Sequence, residues 1–336
     1  MQVPNIARRR AIASLFVLAL ASAVGGCSNP QPSVGSKDIT ISQYGDLLIY
    51  LPLYIAQDKK YFEQQGLHVR IVNGGGDDKT FAALASGSAQ FGVSDPTFTA
   101  IAREKGQRAV VVGTVVAGAT YWGVTWNNNI KPAASPAGLR DLRIATYEAP
   151  STNYALMAKT LQEHRAEVGN ATIVQGSYGG LLAMVKAGRA DVAMELEPAV
   201  SSAVKEGAHV VYSYPEMYGP FMLTGVYVME NYRDRNRATT QGVVTALEMA
   251  MRYAHANPEG AIDVARRKFP DVDAQVIRTA VMRMINASTL PEHVTMDPQG
   301  WANTVNVRAG LGELKDRAGA SSALDPSFAA AAVATK

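Results

Sequence analysis

The sequence predicts an α/β fold in two lobes, each a mixed sheet flanked by helices. Three observations lead there. Residues Asp38 to Thr97 alternate strand, loop, helix, strand, glycine turn, helix and strand. The same grammar returns about a hundred residues later. Beyond the first stretch of the 336-residue chain, roughly 300 residues remain, more than one ordinary core accommodates.

The first unit begins with Ile39-Thr40-Ile41-Ser42, alternating and β-branched, which reads as a strand. A loop of aromatic, glycine and acidic residues follows, Gln43 to Tyr50. Leu51 starts a helix with Pro52 in its first turn, where the missing N–H costs nothing. Leu51, Tyr54, Ile55, Tyr61 and Phe62 form its apolar stripe, Gln57 to Lys60 its wet face, and Gly66 its cap. Val69 to Val72 is the second strand. Gly74-Gly75-Gly76 makes a turn whose backbone can approach a ligand closely. A helix from Thr80 to Ser86 leads to strand Phe91 to Val93, then Ser94-Asp95-Pro96, with Asp95 placed to cap the next helix. Val110 to Val116, an unbroken β-branched run, is a buried strand.

The echo starts at Val174. Gly75 matches Gly176, Gly87 matches Gly188, Ala89 matches Ala190, Phe91 matches Val192 and Val93 matches Met194, all at an offset of 101; Pro96 matches Pro198 after a one-residue slip. Two similar lobes would leave this trace, although a shared βα grammar could produce much of it. Ahead of it, Leu142 to Thr146 is a strand and Ser151-Thr152-Asn153 caps a helix over 154–163. After it come a helix over 197–206, a strand over 210–212, an aromatic loop over 214–222 and a strand over 225–229 that returns to the first lobe. Helices over 238–256, 258–268, 273–286 and 298–309 complete the chain, and 318–336 is expected to fray.

The start of the chain has its own logic. MQVPNIARRR is a positive segment followed by an apolar run of about fourteen residues, the length of a secretory signal and short of a membrane span. It ends in Val24-Gly25-Gly26-Cys27, which resembles a bacterial lipobox, in which the signal is cut before the cysteine and the thiol is acylated. An ordinary signal cut nearby, with Cys27 incidental, is the alternative. Cys27 is the only cysteine, so no disulfide forms within the chain and no cysteine metal site can be built. The net charge of +3 equals the three arginines of the signal, Arg8 to Arg10, so the basic balance says nothing about nucleic acid. The organisation expected is signal peptide 1–26, lipidated cysteine and tether 27–37, first lobe 38–117 and 225–317, second lobe 118–224, and tail 318–336.

The segment Leu53 to Leu67, then Gly74 to Gly76, Ala83-Leu-Ala-Ser-Gly87, Thr224-Gly-Val-Tyr-Val-Met229 and Ala254-His-Ala-Asn-Pro-Glu259 together resemble the solute-binding proteins of bacterial ABC importers, in the group for sulfonates, taurine, nitrate and thiamine pyrimidine precursors. The resemblance spans roughly residues 38–315. It implies the two-lobed periplasmic-binding-protein fold (type II-like), joined by two crossovers, with a small solute clamped between the lobes. It also implies a monomer, exported and facing the periplasm or cell exterior, held to a membrane by its lipid and delivering solute to an inner-membrane permease driven by a cytosolic ATPase. No catalysis, cofactor or metal belongs to that reading.

Ligands of open α/β sheets lie at the carboxyl ends of strands. The candidates there are Tyr44, Gly45, Gly75, Gly76, Ser94, Asp95 and Thr97 from the first lobe, and Ser151, Thr152, Asn153, Tyr178, Glu195 and Glu197 from the second. Trp122, Tyr218 and Thr224 join them from the crossovers. Gly75 and Ser94-Asp95 are expected to face Gly176 and Glu195 across the cleft. Asp46, Asp77, Asp78, Asp95, Glu148, Glu195 and Glu197 all fall near it, with Lys79 the one nearby base. An anion would want Arg, Lys or free helix-start amides, whereas an amine or aminopyrimidine wants a carboxylate and aromatic faces. The balance favours a planar, nitrogen-bearing solute, neutral or cationic; the helix start at 151–153 leaves a sulfonate, taurine or nitrate ligand open.

Two other classes stand beside it. A two-lobed synthase for a thiamine pyrimidine would need catalytic groups, yet the five histidines are scattered without metal spacing, and no nucleophile elbow or phosphate loop occurs. A periplasmic sensor module would use the same clamp to signal to a membrane receptor.

Overall fold

The computed structural model describes residues 37–335. The signal, Cys27 and most of the tether lie outside the described residues. Among the described residues, ten strands build two five-stranded sheets: β1 (Lys37–Gln43), β2 (Leu67–Asn73), β3 (Phe91–Ser94), β4 (Ala109–Ala117), β5 (Trp122–Thr125), β6 (Arg143–Tyr147), β7 (Thr172–Gly176), β8 (Val192–Glu195), β9 (His209–Ser213) and β10 (Met222–Met229).

The first sheet has the order β2-β1-β3-β10-β4 and the second β7-β6-β8-β5-β9. The two orders are the same pattern. In each, three strands joined through helices pair in parallel, because a helical crossover returns the chain in the same direction; the fourth strand runs the same way, and only the inserted strand, β10 or β5, is antiparallel to both its neighbours. Ile41 pairs with Ile71 and Phe91; Ile144 pairs with Ile173 and Val192. The chain passes between sheets twice, from β4 to β5 and from β9 to β10. β10 is inserted between β3 and β4, and β5 between β8 and β9.

β4 is buried over Ala109 to Val116, as its unbroken apolar run requires, whereas the edge strands β2 and β7 are only half-buried. Helix Arg237–Ala256 supplies twelve buried residues and covers the first sheet together with Leu51–Asp58. The first helix is shorter than the apolar stripe implies: Lys60 adopts a left-handed φ of 57°, which ends Leu51–Asp58 and starts a separate turn at Tyr61–Gln64. β5 is a strand that its four residues are too few to announce. The aromatic stretch expected as loop contains a helix, Tyr214–Tyr218, with Pro215 in its first turn.

The tail does not fray. A 3₁₀ turn (Gly319–Ala323) and a helix (Ser327–Ala334) pack back on the molecule, with Ala323, Phe328 and Ala332 buried. Leu324 bridges to Val111 of β4, and Arg252 donates to the carbonyls of Ala332, Val333 and Thr335. An alanine-rich run reads as weakly structured by itself; here its methyl groups fill a groove beside helix Arg237–Ala256. Among the described residues, no helix is long and apolar enough to cross a membrane.

Candidate ligand-binding site

The parallel strands of both sheets end at a shared cleft. From the first lobe the cleft receives Tyr44 to Leu47 after β1 and Asn73 with Gly75 to Lys79 after β2. The second lobe contributes Tyr147 to Ser151 after β6 and Ser177-Tyr178 after β7, enclosing about 560 Å³. Tyr44, Leu47, Asp77, Tyr147 and Ser151 also border a small inner chamber of about 20 Å³, which adds Ile49, Tyr50, Asp95, Tyr121, Thr152, Leu196, Leu223 and Thr224.

Aromatic rings make up much of the wall. Tyr147 contacts Tyr121 edge-on at 6.5 Å and Tyr178 at 5.5 Å, so three rings of the second half form a continuous surface. Burial, with Asp77 adding to it, pushes the Tyr44 phenol up to about 12. Burial also holds Tyr50, Tyr121 and Tyr147 well above the ordinary phenol value, so all four hydroxyls stay neutral donors and acceptors.

Asp77 sits at the first turn of helix Asp77–Ala85, buried, its Oδ1 accepting from the Asp95 amide at 3.0 Å. Burial, and then the neighbouring Asp95 carboxylate, raise its pKa well above the ordinary carboxylate range. The chain thus places its own carboxylates, Asp77 and Asp78, at a helix start where a bound anion would otherwise sit. Asp46 is held below the ordinary range: burial opposes this, but the hydrogen bonds from Lys268, Asn73 and Gln43 prevail. Asp95 is ion-paired with Arg308 at 2.7 Å, and Glu197 with Arg283 at 2.6 Å. Among the described residues that leaves Asp77, Asp78 and Glu148 in the cleft without an ion pair, against Lys79.

Of the candidates from the sequence, Tyr44, Gly45, Gly75, Gly76, Asp95, Ser151, Thr152, Tyr178 and Thr224 border the cleft or its inner chamber. Seven do not. Ser94 is turned into the first sheet, where its hydroxyl meets that of Tyr227 at 2.7 Å; Gly92 opposite leaves room for the Tyr227 ring. Thr97 is spent on Asp95, donating through its amide (2.8 Å) and hydroxyl (2.5 Å) to Oδ1. Asn153 stitches β6 to β8, accepting from the Tyr147 amide and donating to the Met194 carbonyl. Glu195 lies behind Tyr147, accepting its hydroxyl proton at 2.5 Å. Glu197 caps its own helix through Ser201, and Trp122 lies beside Arg283 on a separate surface cavity. Tyr218 faces a larger cavity of about 750 Å³ away from the strand ends.

The cross-cleft pairing expected from the echo is shifted by one residue. Gly75 and Gly76 share the cleft with Ser177 and Tyr178, whereas Gly176 packs against its own helix, where an added methyl would meet Met184 Sδ at 2.5 Å. Asp95 meets Thr152, whose hydroxyl donates at 2.6 Å, and not Glu195. Tyr147, Tyr50 and Tyr121 were missed as wall residues. A tyrosine ending a strand or flanking one was the available signal. Arg308 was missed outright.

Two lobes with the same strand order, meeting at a cleft along their strand ends, define the periplasmic-binding-protein fold. The chain belongs to the NMT1/THI5-like family, whose model matches residues 49–261. It is 20% identical over 289 residues to YtlA of Bacillus subtilis (strain 168), named as a binding protein, covering 82% of this chain and 84% of that one. The alkanesulfonate-binding protein SsuA from Xanthomonas axonopodis pv. citri superposes with a TM-score of 0.68 at 16% identity, covering 86% of this chain and 98% of that one. The nitrate-binding protein NrtA from Synechocystis PCC 6803 follows at 0.67 and 13%, covering 88% of each. The desulfurization enzyme DSZB shares the fold at 0.64 and 12%, covering 88% of this chain and 99% of that one. At these identities the structures speak to fold alone.

Proposed function

We propose that this protein is the lipid-anchored, extracytoplasmic solute-binding component of an ABC importer. In this reading it clamps a small, planar, nitrogen-bearing solute, neutral or cationic, and hands it to a membrane permease. The observation that carries the ligand class is the helix start at Asp77-Asp78. Where an oxyanion would need free amides or a base, the chain presents buried carboxylate, ringed by Tyr44, Tyr50, Tyr121 and Tyr147. Carboxylate and hydroxyl acceptors match N–H donors, and the ring faces match a flat π system or a cation, each such contact adding roughly 0.5–2 kcal/mol.

Mass spectrometry of solute co-purified with the native protein, followed by calorimetry across amines, thiamine precursors, sulfonates and nitrate, tests it. A nitrogen base should stabilise the fold by about 2.7 kcal/mol when present at a hundred times its Kd. Asp77→Asn should weaken that binding at least tenfold, the size of a hydrogen bond to a charged group. Binding only of sulfonate or nitrate, unaffected by Asp77→Asn, would overturn the ligand class and leave the clamp. Turnover of a substrate without such stabilisation would overturn both.

A further inference from the structure

Arg308 lies within helix Pro298–Gly310, 213 residues from Asp95, yet its side chain and that of Asp95 are each only 1% exposed. The guanidinium reaches both lobes. Nη2 donates to Asp95 Oδ2 at 2.7 Å in the first lobe, while Nη1 donates to the Pro150 carbonyl at 2.9 Å in the second and to Glu313 at 2.7 Å. Thr152, at the start of the second-lobe helix, donates to the same Asp95 oxygen at 2.6 Å and lies 3.4 Å from Nη2. The other Asp95 oxygen is held by Thr97 of its own helix. One carboxylate therefore ties a first-lobe helix start to a second-lobe helix start, and one arginine fork spans the junction. Asp95 and Thr152 also border the inner chamber, so this junction closes the floor of the cleft.

We propose that Arg308 is a positioning residue for solute capture: through Asp95, Thr152 and Pro150 it fastens the two lobes in the closed register. The inference rests on the two-lobed clamp reading but not on the identity of the solute. A planar fork is needed, because two partners in different lobes must be met at fixed angles from one side chain, which an ammonium cannot reproduce. Paired in this way, Asp95 is withdrawn from solute recognition, and the carboxyl group offered to the inner chamber is that of Asp77. Affinity then depends on Arg308 without contact, since the observed dissociation constant scales inversely with the fraction of molecules able to close.

Distances between spin labels at Ser86→Cys and Arg189→Cys, in a Cys27→Ser background of the full chain, report lobe separation with no solute present. Both sites are exposed, at the far ends of the corresponding helices of the two lobes. Thr152→Val removes one hydroxyl and should raise the open-to-closed ratio about tenfold, as expected for one hydrogen bond to a charged group. Arg308→Met should raise it further, and Arg308→Lys should fall between Arg308→Met and the native protein. An unchanged distance distribution in Thr152→Val overturns the proposal, even if Arg308→Met fails to fold. Unchanged distances in a folded Arg308→Met protein overturn it equally. If the native protein binds none of the solutes named above while these distances shift as expected, the ligand reading fails and the fastening stands.

Discussion

The two halves of the molecule carry the same device and use it differently. In the first, β3 ends at Ser94 and Asp95-Pro96 leads into helix Thr97–Arg103; in the second, β8 ends at Glu195 and Leu196-Glu197-Pro198 leads into helix Ala199–Lys205. Each acid before the proline is buried, accepts hydrogen bonds from its own helix start and pairs with an arginine from the C-terminal helices. Asp95 turns one oxygen across the cleft to Thr152. Glu197, one residue further along, satisfies itself with Ser201 and with Arg283, which is 26% exposed and away from the cleft. The single inserted residue, Leu196, takes the chamber position. Duplicated grammar therefore does not duplicate the contact; a one-residue slip moves a carboxylate from the cleft floor to a buried position away from it.

The sharpest way to break this comparison is to delete the two arginines. Arg308→Met strands a buried carboxylate and should cost about 3–5 kcal/mol in urea unfolding, the range for breaking a buried pair. Arg283→Met should cost less, about 1–3 kcal/mol, because Glu197 keeps both Ser201 hydrogen bonds and the arginine is itself partly solvated. Equal losses would mean the halves are energetically alike.

Next in size is a pH effect from Glu195. Its carboxyl is 2% exposed, has no ion pair among the described residues and leaves Oε1 without a partner; burial pushes its pKa up to about 7. The unfolded chain releases this proton near pH 4.5, the folded chain only near 7. The fold therefore holds more protons between those values, so stability falls as pH rises through that window and levels off above it. Unfolding at pH 8 should be easier than at pH 5 by about 2 kcal/mol from this group. Asp77, shifted in the same direction, adds to the slope. Glu195→Gln should remove the Glu195 share while leaving the Asp77 share.

The matched glycines give the smaller effects. Gly176→Ala drives a methyl into Met184 and Leu181 and should cost about 1–3 kcal/mol of stability. Gly75→Ala meets open space but must hold φ near 83°, a strain of about 1–2 kcal/mol. Thermal unfolding of the two variants separates packing from backbone strain, and the reverse order of losses would contradict the assignment.

The sequence revealed what is periodic or local. Strand ends, glycine turns and the echo at 101 located the cleft, because a ligand site at strand ends follows from chain direction alone. Thr152 and Tyr178 were placed by that rule. What escaped depended on where side chains turn. Ser94 and Asn153 occupy strand-end positions yet point into their own sheets, since Tyr227 and the β8 backbone offer better partners than water. Arg308 escaped because nothing within its own helix distinguishes a cation bound for a partner two hundred residues away from one facing solvent. The charge count erred for the same reason, with Lys268, Arg283 and Arg308 each arriving from the C-terminal helices to cancel an acid.

The paired crossovers carry a consequence for assembly. β5, an inner strand of the second sheet, precedes its sheet-mates in the chain, so that sheet can close once β9 has emerged. β10, an inner strand of the first sheet, follows an entire lobe. As the polypeptide is threaded out in order, the later-encoded lobe therefore completes itself while the earlier one waits, its β3 and β4 edges open until the returning strand arrives.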